Sequence, residues 1–249
     1  NADGKSNVTA TNKVLGTATP YSGEYGISKN PQSFAAEGYR AYFTDKVRGK
    51  VMRLSMDGLT PISDHGMKSW FRDNLKLADN IVGSYDDYKN EYNVTLTNNV
   101  MNRSEAVAST VTFKEDVKGW VSFKSFIPSN GISCASQYYT FSGNSPILWK
   151  HHDKNVNRNT FYNSPSSLDF SSITTVLNDQ PGIIKSFNTL NYEGSQSRIT
   201  ENLNDNQYYN LTDQTGWFVD YVKTNKEEGS LNEFIEKEGK WFNYIKGKE

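Results

Sequence analysis

Residues 39–63 read YRAYFTDKVRGKVMRLSMDGLTPIS, and this stretch decides the fold class. It contains three strand-like runs separated by turns, at 39–43, 50–55 and 59–63. In the middle run Val51 and Arg53 share one face of an extended chain, which is the period-two signal of a strand. Asp57-Gly58 is typical of a hairpin turn. The stretch therefore predicts an antiparallel β-meander.

Further strand candidates recur every ~10–15 residues between Gly, Asn, Asp and Pro. They are 81–85, 92–96, 109–113, 120–126, 138–141, 147–150, 172–177, 183–187, 217–222 and 240–245. This spacing predicts an all-β protein built from antiparallel meanders and favours β-propeller-like blades.

Two short helices interrupt the strands. The first is predicted at about 64–77, with Asp64 as its N-cap and a core-facing stripe of Met67, Trp70, Phe71 and Leu75. The second is predicted at 230–238, because Ser230 and Glu233 form a capping box and Gly239 would end the helix.

Composition along the chain predicts four segments. They are an extended N-terminal arm or loop (1–33), a meander or propeller-like region with one helix (34–152), a polar loop that could hinge two lobes (153–167) and a C-terminal β region with a short capped helix (168–249). For the first segment, a disordered terminus and an ordered arm packed on a neighbour both remain open.

The 249 residues can bury a core, but only 35% of them are hydrophobic. Aromatic residues make up 13% of the chain and the net charge is −1, so we expect an aromatic-rich core rather than a disordered chain. No apolar run long enough for a membrane span and no signal peptide is visible. The balance of 27 basic and 28 acidic residues gives no net attraction to nucleic acid.

The three histidines offer little catalytic chemistry. His151 and His152 are adjacent, so on a strand their rings would point to opposite faces and could not share a metal ion. With Asp153 beside them a surface metal site stays open, but a strand end with two solvated imidazoles is favoured. His65 lies at the start of the predicted first helix and has no partner pattern around it.

Paired carboxylates could hydrolyse glycosides at a separation of ~5–10 Å. The candidate pairs are Asp86-Asp87, Glu115-Asp116 and Glu227-Glu228. Adjacent acids beside Gly, Lys or Asn usually mark turns, and the turn interpretation is favoured for all three pairs.

Motifs for nucleophilic catalysis are missing from the sequence. It contains neither G-x-S-x-G nor a P-loop. The single cysteine, Cys134, excludes an internal disulfide framework and is expected to be a small buried or half-buried residue. Four N-x-S/T sequons, at Asn7, Asn93, Asn102 and Asn210, do not establish secretion. We therefore predict no catalytic, metal-binding or ligand-binding residue and no cofactor.

Several phrases resemble those of a known family. They include AYFTDKVRGKVMRLSMDGLTPIS at 41–63 and FIEKEGKWFNYIKG at 234–247. Shorter ones lie at 119–128, 138–141, 148–152, 159–162 and 190–196. The sequence resembles tail-tip proteins, sometimes called muzzle or nozzle proteins, of crAss-like podoviruses and related large marine phages.

The resemblance implies a non-enzymatic structural role in the virion, in the part of the tail that closes the DNA-exit channel. It implies a homo-oligomeric ring in contact with other tail proteins and with the rest of a longer parent chain, and no specific binding of nucleic acid although DNA passes nearby. The start at Asn1 rather than Met adds the expectation of a C-terminal portion or a cleavage product.

Two other functions remain open on the sequence alone. Abundant Tyr and Trp suit sugar stacking, which would make the chain a carbohydrate-binding β module or a receptor-binding tail component. A propeller glycosidase that uses one of the acid pairs is the remaining alternative.

Overall fold

The structure is a computed structural model that describes most of the chain. The described residues are 20–98, 108–143, 145–156, 158–162, 171–193, 217, 219–231 and 234–247. The chain divides into two compact units, the first ending at Ile173 and the second beginning at Thr174. Residues 1–19 of the predicted arm and the sequons at Asn7, Asn102 and Asn210 lie outside the described residues.

In its described residues the first unit has three antiparallel sheets and one α-helix. The first sheet has the order β1 (Ala35–Glu37), β2 (Arg40–Asp45), β3 (Lys50–Ser55), β4 (Gly58–Pro61). The second has the order β5 (Asn80–Asp86), β6 (Glu91–Thr97), β7 (Ala108–Lys114), β8 (Gly119–Lys124). The third has the order β11 (Leu148–Lys150), β10 (Gln137–Ser142), β9 (Pro128–Cys134).

The predicted meander is confirmed in the first sheet. Strands β2 and β3 pair with Phe43 opposite Met52, and Gly58 starts β4 after the turn. Residues 20–33 contact this sheet within their own chain, since the Gly26 amide donates to Asp45 Oδ2 at 3.2 Å. They end in a 3₁₀ turn, Pro31–Ser33.

Helix α1 spans Lys68–Leu77, so the first predicted helix is present but shorter. The expected N-cap is wrong, because Asp64 lies in a separate 3₁₀ turn, Ile62–Asp64, and its carboxylate contacts Lys50 Nζ. The apolar stripe does face the core, with Phe71 and Leu75 fully buried.

Aromatic rings hold the first and second sheets together. The Tyr42 ring of β2 stacks on Tyr92 of β6 at a centroid distance of 4.7 Å and on Tyr85 of β5 at 5.9 Å. The Phe71 ring of α1 lies 4.4 Å from that of Trp120 on β8. These contacts confirm the aromatic-rich core that the composition predicts.

A close backbone approach explains one glycine in this core. A Cβ atom built on Gly83 of β5 would lie 2.0 Å from the Ser33 carbonyl oxygen. The same oxygen accepts a hydrogen bond of 2.8 Å from the Tyr92 hydroxyl. Any side chain at position 83 would therefore push the 3₁₀ turn off the second sheet.

The second unit is built from short strands in its described residues. One sheet has the order β12 (Thr189–Tyr192), β16 (Lys240–Tyr244), β15 (Ile235–Lys237). The other has the order β13 (Val222–Lys223), β14 (Glu228–Ser230), β17 (Lys246–Gly247). The Phe234 ring is buried and meets the Tyr192 ring edge-on at 4.9 Å.

The predicted helix at 230–238 is wrong, and Glu233 of its capping box lies outside the described residues. The hairpin of β15 and β16 stands there instead, with Ile235 opposite Phe242. Its two turn residues, Glu238 and Gly239, both have positive φ (56° and 78°). This conformation fits a two-residue hairpin turn, and the hairpin occupies 235–238, the C-terminal half of the predicted helix.

Three predicted strands also differ from the structure. Residues 172–177 and 183–187 form no strand, and 217–222 gives only an isolated bridge at Trp217 and the start of β13. The overall class is mainly β in several antiparallel sheets, and none of those in the described ranges closes on itself. A β-propeller is therefore not confirmed. Among the described residues, no helix combines the length and apolar character needed to cross a bilayer.

We expect Phe71→Ala to destabilise the first unit by about 3–5 kcal/mol, because it removes a fully buried ring from between α1 and β8. Urea unfolding followed by tryptophan fluorescence would measure this loss. Tyr39→Ala is the matched control, since Tyr39 is exposed and should change stability by less than about 0.5 kcal/mol. Equal stability of the two variants would contradict this account of the core.

Candidate functional site

The two adjacent histidines follow strand β11 and are both enclosed. His151 is 8% exposed, and its Nε2 lies 2.6 Å from the Thr140 hydroxyl oxygen of β10. Its ring packs against Phe126 at 4.8 Å and Tyr138 at 5.0 Å. The prediction of a solvated imidazole is therefore wrong for His151.

His152 joins the third sheet to the second. Its backbone has φ 63°, and its Nε2 lies 2.7 Å from Oδ2 of Asp86 at the end of β5. Its ring stacks on Tyr88 with an interplanar angle of 14° and a centroid distance of 5.1 Å. The solvated interpretation is wrong here too, because this pairing across 66 residues leaves no trace in the local sequence.

Asp86 is fully buried and fully occupied. Besides His152, it accepts hydrogen bonds from the backbone amides of Tyr88 (3.0 Å) and Lys89 (3.3 Å). The turn expected at Asp86-Asp87 is present, but only Asp87 is exposed. Asp86 therefore anchors the β5–β6 turn.

A partly buried lysine belongs to the same sheet. Lys124 Nζ lies 2.9 Å from Glu91 Oε2 and 3.0 Å from Asn93 Oδ1. Asn93 also accepts a hydrogen bond of 2.7 Å from the Thr112 hydroxyl and is fully buried, so its sequon does not lie at the surface. We call Asp86, His152, Lys124, Glu91 and Asn93 the Asp86 network.

Burial and neighbouring charges act in opposite directions on the Asp86 network. Burial favours the neutral form of Asp86, but the hydrogen bond and charge of His152, with Lys124, leave the pKa of this carboxyl below its usual value. For His151, burial first and His152 second lower the pKa from 6.5 to about 4. His151 is therefore held neutral at physiological pH.

A second, partly buried charge, Glu115, follows β7. It accepts hydrogen bonds of 2.8 Å from both the Tyr42 hydroxyl and Arg53 Nη1, and Arg40 Nε lies 3.9 Å away. Burial, and then Glu115, raise the pKa of Tyr42, which stays a hydrogen-bond donor. Glu115 thus ties β2 and β3 of the first sheet to β7 of the second.

The other residues considered from the sequence are not gathered at one place. Asp116, Glu227 and Glu228 are exposed in or beside turns. His65 Nδ1 lies 2.6 Å from the Lys118 carbonyl oxygen. Cys134 is exposed, so its expected burial is wrong. Within the described residues, no three His, Cys, Asp or Glu side chains are grouped to hold a metal ion.

A shallow cleft of about 470 Å³ lies in the first unit beside β5 and β9. Its polar lining includes Asn80, Ser84, Asp87, Asn130 and Ser133. Several of these groups already bond within the protein: Ser84 to Tyr138 at 2.7 Å, and Ser133 to the Tyr85 carbonyl at 2.8 Å. The cleft is therefore a polar surface whose main groups are occupied.

One segment exposes apolar side chains in succession. In residues 171–187, which we call the apolar segment, the exposed apolar residues are Ile173, Val176, Leu177, Ile183, Ile184 and Phe187. Val176 is 86% exposed and Ile184 is 94% exposed. An exposed apolar run of this kind marks an interaction site.

The described residues offer two kinds of candidate feature, the paired charges and the apolar segment. The buried charges are paired and hydrogen-bonded, which suits the joining of sheets rather than chemistry on a substrate. The exposed apolar side chains of the apolar segment, in contrast, are not buried against other described residues. The apolar segment is the better candidate for a functional surface, and its composition of β-branched residues was its only sequence signal.

Comparison with known proteins bears on the C-terminal part. Residues 156–248 match the family model described as Crassvirus muzzle protein C-terminal domain. The match includes three of the phrases that carry the resemblance, at 159–162, 190–196 and 234–247, and the others lie before it. No curated protein matches the chain.

We expect Glu115→Gln to destabilise the protein by about 1–3 kcal/mol, because it leaves the half-buried Arg53 guanidinium without its carboxylate. Chemical denaturation at neutral pH would measure the effect. Glu24→Gln is the control, since the exposed Glu24 pairs with Arg48 at 3.3 Å in solvent and should cost almost nothing. A change below 0.5 kcal/mol for Glu115→Gln would contradict a joining role.

The lowered pKa of His151 predicts a pH-dependent stability. Between about pH 6.5 and pH 4 the unfolded chain binds a proton that the folded protein rejects, so stability falls as the pH is lowered through this window. We expect a loss of roughly 2–3 kcal/mol from this residue. Unfolding curves at pH 7, 6, 5 and 4 would measure it.

The matched variants for this prediction are His151→Gln and His65→Gln. The first removes the titrating group and should flatten the pH dependence between pH 6.5 and pH 4. The second removes an exposed imidazole and should leave the dependence in place. The same slope in wild type and His151→Gln would rule out His151 as its source.

Proposed function

We propose that the chain is a component of the virion tail and a non-enzymatic structural part of the tail tip, because residues 156–248 match the family model of a Crassvirus muzzle protein C-terminal domain. In this role it helps to build and close the channel through which DNA leaves. The observation that carries the proposal is the family match.

The pairing of the acidic side chains supports a structural role. The carboxylates of Asp86, Glu91 and Glu115 each contact a cation or an imidazole of another strand or loop. Carboxylates held in such contacts rigidify a scaffold, and they have little freedom to exchange a proton with a substrate. This use of the acids supports the proposed non-enzymatic role.

Overall charge is compatible with DNA passing nearby. The chain has 27 basic and 28 acidic residues, so it offers no net attraction to phosphates. A channel wall that bound DNA through many cations would slow its passage. Near neutrality also limits the repulsion between copies of the chain, which favours a homo-oligomeric ring packed against other tail proteins.

The proposed organisation keeps the division expected from the sequence. It has an arm at 1–33, a meander region at 34–152, a polar loop at 153–167 and a C-terminal region at 168–249. The family match begins inside the polar loop and covers the C-terminal region, which supports treating that region as the tail-specific part.

Purified virus particles provide the test of this function. We expect the protein to be present in several copies per particle and to map to the distal end of the tail by cryo-electron microscopy. Quantitative mass spectrometry of capsid-free tails would establish the copy number, with the major capsid protein as the control for depletion. Absence from tails, or a position on the capsid alone, would overturn the proposal.

A further inference from the structure

We propose that residues 172–177 of the apolar segment act as a donor strand, which pairs with the free edge of β8 in a second copy of this chain. The inference rests on the proposed assembly of the tail from several copies. It adds a specific contact, made through the backbone, between neighbouring copies.

The sequence of the donor favours a strand that the isolated chain does not form. Residues 172–177 read SITTVL, and four of the six are β-branched. Such residues fit a pleated sheet better than an exposed loop. Yet the structure gives them no regular secondary structure and leaves all six exposed.

The backbone of the donor is also unpaired with respect to the part of the chain that the structure describes. No hydrogen bond joins the main chain of 172–177 to another described residue. Extended residues with free N–H and C=O groups are suited to adding a strand to an exposed sheet edge. The apolar side chains Ile173 and Leu177 fall on one face of such a strand, because side chains alternate with period two.

Strand β8 offers the matching acceptor. It is the outer strand of the second sheet and, at six residues, has the length of the donor. Phe123 is 59% exposed although its ring meets that of Trp70 edge-on at 5.3 Å, and Val121 is 40% exposed. A bulge at Val121 interrupts the pairing with β7, but Ser122, opposite Thr112, and Lys124, opposite Thr110, are in regular register.

The two strands are placed antiparallel, a direction that their charges allow. With Ser172 opposite Lys124, residue 177 comes opposite Gly119. Asp179, the first charged residue after the donor, then lies next to Lys118 at the other end of β8. The donor itself carries no charge, so the contact places Ile173 beside Phe123 without burying a charge of the donor.

The donor is tested with a proline pair and an alanine pair in the full chain. Consecutive strand residues direct their N–H groups to opposite edges, so Thr174→Pro with Thr175→Pro removes one donor group on each edge. Thr174→Ala with Thr175→Ala keeps both N–H groups and is the matched control.

The measurements are sedimentation equilibrium and hydrogen exchange over a concentration series. We expect the wild type to self-associate, with protection of 172–177 and 119–124 rising together as concentration rises. The proline pair should weaken association at least tenfold, while the alanine pair changes it less than threefold. Circular dichroism and thermal melting check that both variants keep the fold.

Three results would overturn the donor strand. They are protection of 172–177 that does not depend on concentration, association that the proline pair leaves unchanged, and no association at any concentration. If the protein is nevertheless found in purified tails, the donor strand fails while the structural role stands. If it is absent from tails, the proposed function fails whatever the exchange data show.

Discussion

The stacking of Tyr42 on Tyr92 is the contact on which the first unit depends. The two rings lie 4.7 Å apart and almost parallel, and they come from different sheets. Both hydroxyls are used at the rim of the stack: Tyr42 donates to Glu115 and Tyr92 to the Ser33 carbonyl. One pair of rings therefore fixes the first sheet, the second sheet and the turn before β1 relative to one another.

This arrangement explains how a chain with few aliphatic residues can form a stable core. An aromatic ring buries ~150–250 Å², so a few tyrosines replace a larger number of leucines or valines. Each buried hydroxyl then needs a partner, because an unpaired polar group inside the protein costs about 1–3 kcal/mol. Glu115 and the Ser33 carbonyl supply these partners.

Two adjacent histidines attach the third sheet to the second. His152 reaches Asp86 through a backbone with positive φ, and His151 fills the space between Phe126 and Tyr138. Two adjacent residues thus make two contacts with different parts of the second and third sheets. The positive φ of His152 turns its ring away from the alternation that a strand would impose, which is why sequence reasoning misplaced both rings.

Sequence patterns correctly predicted the features that depend on residues close together in the chain. The alternation in 50–55 and the turn at Asp57-Gly58 specify the meander because neighbouring strands pair across a few residues. The apolar stripe of α1 was predictable for the same reason. The start of α1 was not, because Asp64, a good N-cap by type, lies in a 3₁₀ turn and contacts Lys50 of β3 instead.

The remaining features depend on contacts between residues far apart in the chain. A single sequence gives no visible sign of which distant residues pair. Tyr42 and Glu115 are separated by 73 residues, and the adjacent acids at 115–116 indicated only a turn. At 230–239 two local signals competed, a capping box at its start and a hairpin turn at its end. Strand pairing with 240–242 decided between them, because the hairpin forms backbone hydrogen bonds that a one- to two-turn helix cannot match.

The same distinction clarifies the apolar segment. Its residues predict a strand, yet a strand exists only where another strand supplies hydrogen-bonding partners. A segment of high β propensity that stays unpaired has its local preference unsatisfied by the described residues of its own chain. Asp86, Glu91 and Glu115 are already paired inside the first unit. Ion pairs made by these residues therefore cannot be the main contacts between copies of the chain. Backbone pairing and apolar contact remain, and both act at short range, so they favour a specific junction between neighbours over loose attraction.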